Sequence, residues 1–377
     1  MATIKGILIL SPFFSPNIGG VESHLDDLVY ELNRHKIKSF VLTYSPLTTN
    51  TPYLSKERRG LCNIIRFPWF GFQLFPRLEK YPLFEFIYLT PYLFLRSFIW
   101  LISNQEKISI IHSQGLNAAF MGNILAYIFN KKHLCSTHAV YENVSGISEK
   151  ITKHILSHCH KILCLSKASI EQLKKWGVNE QKISLYRYWI NLKNFIPSKK
   201  SDIFKILFVG RLIAKKGIRV ILKTASLLPD RQFIIVGNGP LEDEVKIFST
   251  KHKNIEFLGG IEYSQLPNIY QKASLFCIAS QYPEGFGRVL MEAVASGLPV
   301  IGSNMGAIPE ALDKSVSILF KPRTKNFVTH IKSLTQNKNI YNNLQKNCRP
   351  YAQKKFSNKN FNTFLTTYQK LQDKDQS

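Results

Sequence analysis

Between Ser280 and Gly306 the chain reads SQYPEGFGRVLMEAVASGLPVIGSNMG, a succession that leaves few folds open. SQYPEGFG is turn-rich, with Pro283, Gly285 and Gly287. RVLMEAVAS puts Val289, Leu290, Ala293 and Val294 at helical spacing. Gly297 ends that helix, and LPVIG is a short apolar strand of the parallel-sheet type. A glycine-rich loop therefore runs into a helix N-terminus, where unpaired N–H groups and the helix dipole favour an anion. Two carboxylates flank it: Glu284 in the loop and Glu292 on the helix, about two turns further in. Beside a phosphate, carboxylates make sense when they accept hydrogen bonds from hydroxyls, as on a sugar or a ribose. A phosphate cradle with two such carboxylates points to a nucleotide-sugar.

The rest of the chain alternates strand and helix, which implies parallel sheets in an α/β protein. IKGILILSPFF reads as a strand, and Gly19 and Gly20 as a tight turn before a helix with Leu25, Leu28, Val29 and Leu32 on one face. HLCSTHAVYEN sets His138 just past a strand, where such folds place ligand contacts. His154, His158, Cys159, His160 and Cys164 lie close together, but no carboxylate or cysteine pair completes a zinc set, so a helix running into a strand is the reading here. NFIPSKKSD has linker composition. FKILFVG then opens a second series, with Arg211 at the strand end and Lys216 before a glycine and a helix. An arginine there can grip a phosphate in bidentate fashion and a lysine can add a point charge. Two solvated cations in a basic protein is the plainer alternative.

With 377 residues the chain is long enough for two cores. Its formal charge of +25 is spread over both halves. Lys and Arg outnumber Asp and Glu by 25 to 12 up to residue 200 and by 25 to 13 beyond it, so no basic tail carries the excess. A lysine-rich solvated surface, an anionic membrane surface and an anionic substrate all fit this balance. No zinc-finger, RNP-like or helix-turn-helix signature accompanies it, so nucleic acid is not expected. Six scattered cysteines and a short apolar N-terminal run without a cleavage site suggest a reduced, cytoplasmic protein.

Residues 61–102 are crowded with aromatics. Leu83 to Ile102 is long enough to be tested as a membrane span, but Glu85, Arg96 and a mid-helix Pro91 argue against one. Trp69, Phe70, Phe72 and Phe75 beside Arg66, Arg77 and Lys80 would suit a lipid interface. An ordinary core with an aromatic loop is the competing reading.

Seven blocks along the chain, PFFSPNIGGVESHLDDLVYEL, STH, CLSKASIEQL, VGRLIAKKGI, VGNGPLEDEV, IEFLGGI and EGFGRVLMEAVASGLPVI, make it resemble the retaining GT-B glycosyltransferases of family 4 over nearly its whole length. The last block holds the family's Glu-x7-Glu pattern at Glu284 and Glu292. The resemblance implies two Rossmann-like domains with parallel sheets facing across a cleft. Residues 1–197 would bind the acceptor and 198–355 the nucleotide-sugar, with 356–377 a helix crossing back to the first domain. By the same resemblance Arg211 and Lys216 hold the donor diphosphate, and Gly19 and Gly20 approach it from the other domain. Glu292 accepts from the ribose hydroxyls. Glu284 and the backbone of Gly285, Phe286 and Gly287 contact the sugar, the amides of Arg288 and Val289 meet phosphate, and His138 lies by the sugar's reactive side.

The implied reaction is retaining transfer from a nucleotide-diphosphate-sugar to a hydroxyl of a saccharide or lipid-linked acceptor, as in cell-surface polysaccharide, lipopolysaccharide or glycolipid synthesis. No cofactor is implied. The one Asp-x-Asp in the chain, Asp373-Lys374-Asp375, lies among the last five residues and outside the seven blocks, which fits catalysis without a metal, and the basic, aromatic first half fits docking on the inner face of the cytoplasmic membrane. One departure is the stretch YRYWINLKNFIP, which has Asn191 but lacks the family's glycine and aspartate. A sugar-phosphate-forming or phosphorolytic enzyme and a non-catalytic partner of an active transferase are the alternatives.

Overall fold

The computed structural model describes residues 4–373 apart from 73, 79, 80, 139, 140, 142, 143 and 199–202. Lys80 of the aromatic–basic patch and residues 199–202 of the linker stretch therefore lie outside the described residues. The chain forms two compact units, Met1–Tyr188 with Asn358–Ser377, and Trp189–Ser357.

The first unit is built on β1 (Ile7–Leu10), β2 (Ser39–Tyr44), β3 (Lys56–Arg59), β4 (Cys62–Phe67), β5 (Ile110–Gln114), β6 (Lys132–Thr137), β7 (Lys161–Cys164) and β8 (Ile183–Leu185). They pair in the order β3-β4-β2-β1-β5-β6-β7-β8, with only β3–β4 antiparallel. Ile7, Leu8, Ile9 and Leu10 are all buried, as a central parallel strand covered on both faces requires. Chain order reverses between β2 and β5 on either side of β1. The loops after β1 and β5 thus open the kind of crevice where α/β sheets bind ligands.

The loop after β1 is clamped from the sheet edge. Arg66 on β4 donates to the Ser15 carbonyl (2.7 Å from Nη2) and pairs with Glu57 at 2.8 Å. Arg59 on β3 reaches Asp26 at 2.7 Å and the Ser15 hydroxyl at 3.1 Å. The tight turn expected at Gly19–Gly20 is not formed. Gly19 is extended (φ −177°, ψ 170°) and Gly20 begins the helix Gly20–Arg34.

Residues 61–102 contribute strand β4, a short helix Phe75–Leu78 and two longer ones, Pro82–Leu89 and Pro91–Asn104, the last running just past the region. The apolar stretch from Leu83 to Ile102 is divided, as its mid-stretch proline suggests, because Pro91 lacks an N–H and its ring constrains the preceding turn. The inner side is core: Trp69 stacks on Tyr92 (centroids 4.5 Å apart), and its indole N–H donates to the Tyr88 carbonyl at 3.1 Å. The outer side is not. Leu83, Phe84, Ile87, Leu95, Ile99 and Ile102 are each more than half exposed.

The second unit is a six-stranded, all-parallel sheet of β9 (Lys205–Val209), β10 (Gln232–Val236), β11 (Ile255–Phe257), β12 (Leu275–Ile278), β13 (Val300–Ser303) and β14 (Ser317–Phe320), in the order β11-β10-β9-β12-β13-β14. Its switch point lies between β9 and β12, so the segments following those two strands face one crevice.

Residues 189–197, expected to close the first domain, belong to the second unit. Trp189, Ile190 and Phe195 are buried. Arg349 donates to the carbonyls of Leu192 and Ala295, both at 3.0 Å, and to that of Phe195. The Ile190 amide donates to the Phe356 carbonyl at 3.1 Å. The helix Asn362–Asp373 belongs to the first unit and buries Phe364, Tyr368 and Leu371 there.

Candidate active site

The sequence KKG after β9 and the sequence SQYPEG after β12 meet because Gly217 has no side chain. Its φ is +71°, and a Cβ there would lie 2.0 Å from the Ala279 carbonyl oxygen. The Gln281 amide donates to the Lys215 carbonyl at 2.7 Å, tying the two segments together. Lys216 and Glu284, 68 residues apart in sequence, are thereby joined: Nζ donates to Oε1 at 2.6 Å.

Glu284 is surrounded by donors. The Ser280 hydroxyl donates to Oε1 and the Tyr282 hydroxyl to Oε2, the latter at 3.0 Å. Burial depresses the basicity of Lys216, but the Glu284 carboxylate and Tyr282 outweigh it, and its pKa stands above the ordinary lysine value. The ammonium is therefore held charged. It also lies 5.3 Å from the centre of the Tyr282 ring. The backbone of the loop is fixed by the Ala307 amide, which donates to the Glu284 carbonyl at 2.9 Å. Gly306, at φ +61°, passes so close that a Cβ would sit 2.4 Å from the Glu284 nitrogen.

From Glu284 the loop continues through Gly285 and buried Phe286 to Gly287, whose left-handed backbone (φ 74°) starts the helix Arg288–Ala295. No side chain caps that helix, so the backbone of Arg288 and Val289 forms an uncapped first turn beside the Lys216–Glu284 pair. Glu292 is buried one turn on. Its Oε2 accepts from the Tyr270 hydroxyl at 2.9 Å, and its Oε1 is 3.2 Å from Arg288 Nε. Arg288 in turn donates to the Tyr263 hydroxyl at 2.8 Å. Burial raises the Glu292 pKa, Arg288 and the tyrosines pull it back, and the net position is above an ordinary glutamate. Arg211 lies just past β9 with an exposed side chain, where it meets solvent more freely than Lys216.

In the first unit His138 follows β6, as its position in the sequence suggests. Nδ1 lies 2.8 Å from the Tyr188 hydroxyl and 2.9 Å from that of Tyr186, and Nε2 lies 2.9 Å from Gln114 Oε1. Burial lowers its pKa to about 4, so the ring is neutral at physiological pH.

Of the residues singled out from the sequence, Lys216 is bonded to Glu284, from which Gly285, Phe286, Gly287, Arg288, Val289 and Glu292 continue along the loop and helix, and Arg211 lies in the same unit just past β9. Gly19, Gly20 and His138 belong to the first unit. Ser280 and Tyr282 went unread, although they stand four and two residues before Glu284. Tyr263, Tyr270, Gln114, Tyr186 and Tyr188 carried no local signal. Among the described residues no three His, Cys, Asp or Glu side chains gather as a metal-ligand set.

Comparisons with known proteins show the family and the fold. The family described as glycosyltransferase family 4 matches residues 18–193, and that described as glycosyl transferases group 1 matches residues 191–355. A subunit of the human phosphatidylinositol N-acetylglucosaminyltransferase is 27% identical over 344 residues, covering 85% of this chain and 66% of its own length, just under two thirds. An uncharacterized glycosyltransferase of Methanocaldococcus jannaschii is 25% identical over 93% of this chain and 94% of its own. Among solved structures, a sucrose-phosphate synthase from Thermosynechococcus elongatus superposes with a TM-score of 0.79 at 21% identity, covering 97% and 98% of the two chains. HepE from Anabaena, in complex with UDP and glucose, gives 0.76 at 18%, covering 96% and 99%. The two family matches follow one another along residues 18–355, and the protein is a glycosyltransferase of family 4 with the GT-B fold.

Proposed function

We propose that the protein transfers a sugar, with retention at the anomeric carbon, from a nucleotide-diphosphate-sugar to a hydroxyl of a saccharide or lipid-linked acceptor. The observation that carries this reading is the Lys216–Glu284 pair at 2.6 Å beside an uncapped helix N-terminus. Lys216 has three N–H donors, of which Glu284 and Tyr282 engage two, leaving one for a diphosphate oxygen. The first-turn backbone of Arg288 and Val289 adds partial positive charge, and Arg211 adds a cation at the rim. As the bond from the anomeric carbon to the diphosphate oxygen breaks, charge grows on that oxygen, and these groups are fixed in advance to receive it.

Glu284 accepts from sugar hydroxyls and holds the ring while positive charge develops on it. Glu292 accepts from the ribose, and neutral His138 is the first unit's candidate for a polar role in the transfer. The cations do the work that a divalent metal does in other transferases, so no metal is required. UDP complexes of the Anabaena protein support a nucleotide donor, and the phosphatidylinositol in the human relative's name supports a lipid-borne acceptor. The anomeric configuration of the product, read by proton NMR in EDTA, tests both points. Retention with undiminished turnover is expected; inversion, or loss of turnover on chelation, contradicts the proposal.

The outer face of Pro82–Leu89 and Pro91–Asn104 supports docking on an anionic lipid surface. Pro82–Lys107 is apolar enough by composition to cross a membrane, yet only 33% of its apolar window is buried. The +25 charge of the chain complements anionic headgroups. Liposomes containing phosphatidylserine are expected to sediment the protein at low salt, and Leu83→Asp with Ile87→Asp to abolish this. No sedimentation of the unaltered protein at low salt would rule the docking out.

A further inference from the structure

A buried file of hydrogen bonds runs from His138 to the C-terminal helix. Gln114 ends β5 with its side chain between two rings. Its Oε1 is 2.9 Å from His138 Nε2, and its Nε2 is 3.1 Å from His112 Nε2. His112, two residues earlier and on the same side of the strand, places Nε2 2.8 Å from the Ser136 hydroxyl. Its Nδ1 lies 2.8 Å from the Tyr368 hydroxyl on Asn362–Asp373. His112, Gln114 and Tyr368 are all buried. Burial holds the His112 pKa well below the usual histidine value, so this ring too is neutral.

A neutral imidazole has one N–H and one bare nitrogen, and an amide has one accepting and one donating end. Those two facts give the file a direction. With Oε1 of Gln114 toward His138, the His138 proton is on Nε2, and its Nδ1 accepts from Tyr188. The amide N–H then donates to His112 Nε2, and His112 Nδ1–H donates to the Tyr368 oxygen. Turning the amide over reverses every donor. The two rings therefore carry their protons on opposite nitrogens, and the state of His138 is tied to that of His112 and its partner Tyr368.

We infer that Gln114, His112 and Tyr368 are positioning residues that fix which nitrogen of His138 bears its proton, so that a residue of the last helix tunes His138. The inference rests on the role proposed above for His138. Its consequence is that His138 is held in one tautomer and one ring orientation. The C-terminal helix then serves the reaction as well as the fold of its unit.

The test is nitrogen-15 NMR of the histidine rings in the full-length protein, with steady-state kinetics alongside. In the unaltered protein His138 is expected as the Nε2–H tautomer and His112 as Nδ1–H; the same tautomer on both rings would overturn the inference. Tyr368→Phe removes the acceptor of His112 Nδ1–H. The file should reverse, moving the His138 proton to Nδ1, and kcat should fall about tenfold, the scale of outer hydrogen-bonding partners, with donor KM nearly unchanged. Gln114→Glu offers an acceptor to both rings and should give Nε2–H on both. An unmoved His138 proton in Tyr368→Phe, or an unmoved His112 proton in Gln114→Glu, would contradict the coupling. Should Tyr368→Phe fail to fold, the unaltered protein and Gln114→Glu still decide. Unchanged turnover in His138→Ala would instead remove the proposed role of His138 while leaving the tautomer file standing.

Discussion

Replacing Glu284 with alanine is expected to lower kcat by about 10²–10³-fold, the loss seen when one preorganised polar contact to a developing charge is removed. Glu284 is the only side chain of its patch that binds Lys216, Ser280 and Tyr282 together among the described residues. Its loss frees all three from their common acceptor. The fold should survive, because the Lys216 side chain is 21% exposed and can draw in water. The expected cost in stability is about 1–3 kcal/mol, for donors left without their partner. Glu284→Gln keeps an acceptor for Ser280 and Tyr282 and should recover most of that stability, but little of the turnover. Circular dichroism and steady-state kinetics on the two variants separate the roles, and wild-type turnover in Glu284→Ala would remove Glu284 from the mechanism.

Lys216→Ala is expected to act on the donor more than on the sugar. It removes the one ammonium held charged against the helix N-terminus and leaves Glu284 buried beside the phosphate position. A carboxylate without its cation repels a diphosphate, so the variant loses an attraction and gains a repulsion. We expect kcat/KM for the donor to fall about 10²–10³-fold and nucleoside diphosphate affinity to fall with it. Arg211→Glu should weaken affinity less, since an exposed charge is screened by water and salt. The double variant Glu284→Ala with Lys216→Ala should cost less than the sum of the two, because the residues are in contact. Strict additivity would mean that the two side chains act independently.

The glycine-rich loop, the helix and the two carboxylates were legible because they lie in one local stretch, where spacing alone decides which groups share a helix end. Lys216 was legible as a cation near a phosphate, but its bond to Glu284 was not, since 68 residues and a close approach at Gly217 bring the two together. The His138 file was further out of reach: Tyr368 and His112 are separated by 256 residues.

Local chemistry also misled. KERR went unread, and it is edge strand β3, with Glu57 and Arg59 joined in the ion pairs that clamp the loop after β1. Gly19 and Gly20 suggested a turn where the backbone is extended. Pro91 was read correctly as an obstacle to a continuous helix, because its lost N–H acts wherever it stands. The stretch NFIPSKKSD has the composition of a connection, yet the chain leading into it is packed in the second unit, with Trp189, Ile190 and Phe195 buried and the carbonyls of Leu192 and Phe195 held by Arg349.

The measurement that bears most directly on the donor site is thermal unfolding with a panel of nucleoside diphosphates, with and without EDTA, for the unaltered protein and for Lys216→Ala. A ligand that binds only the folded state stabilises it by about 2.7 kcal/mol at a hundredfold excess over Kd. One class of nucleotide should raise the midpoint of the unaltered protein, the rise should persist in EDTA, and Lys216→Ala should lose most of it. No rise with any nucleotide, or an undiminished rise in Lys216→Ala, would contradict the assignment of the phosphate site to the Lys216–Glu284 patch.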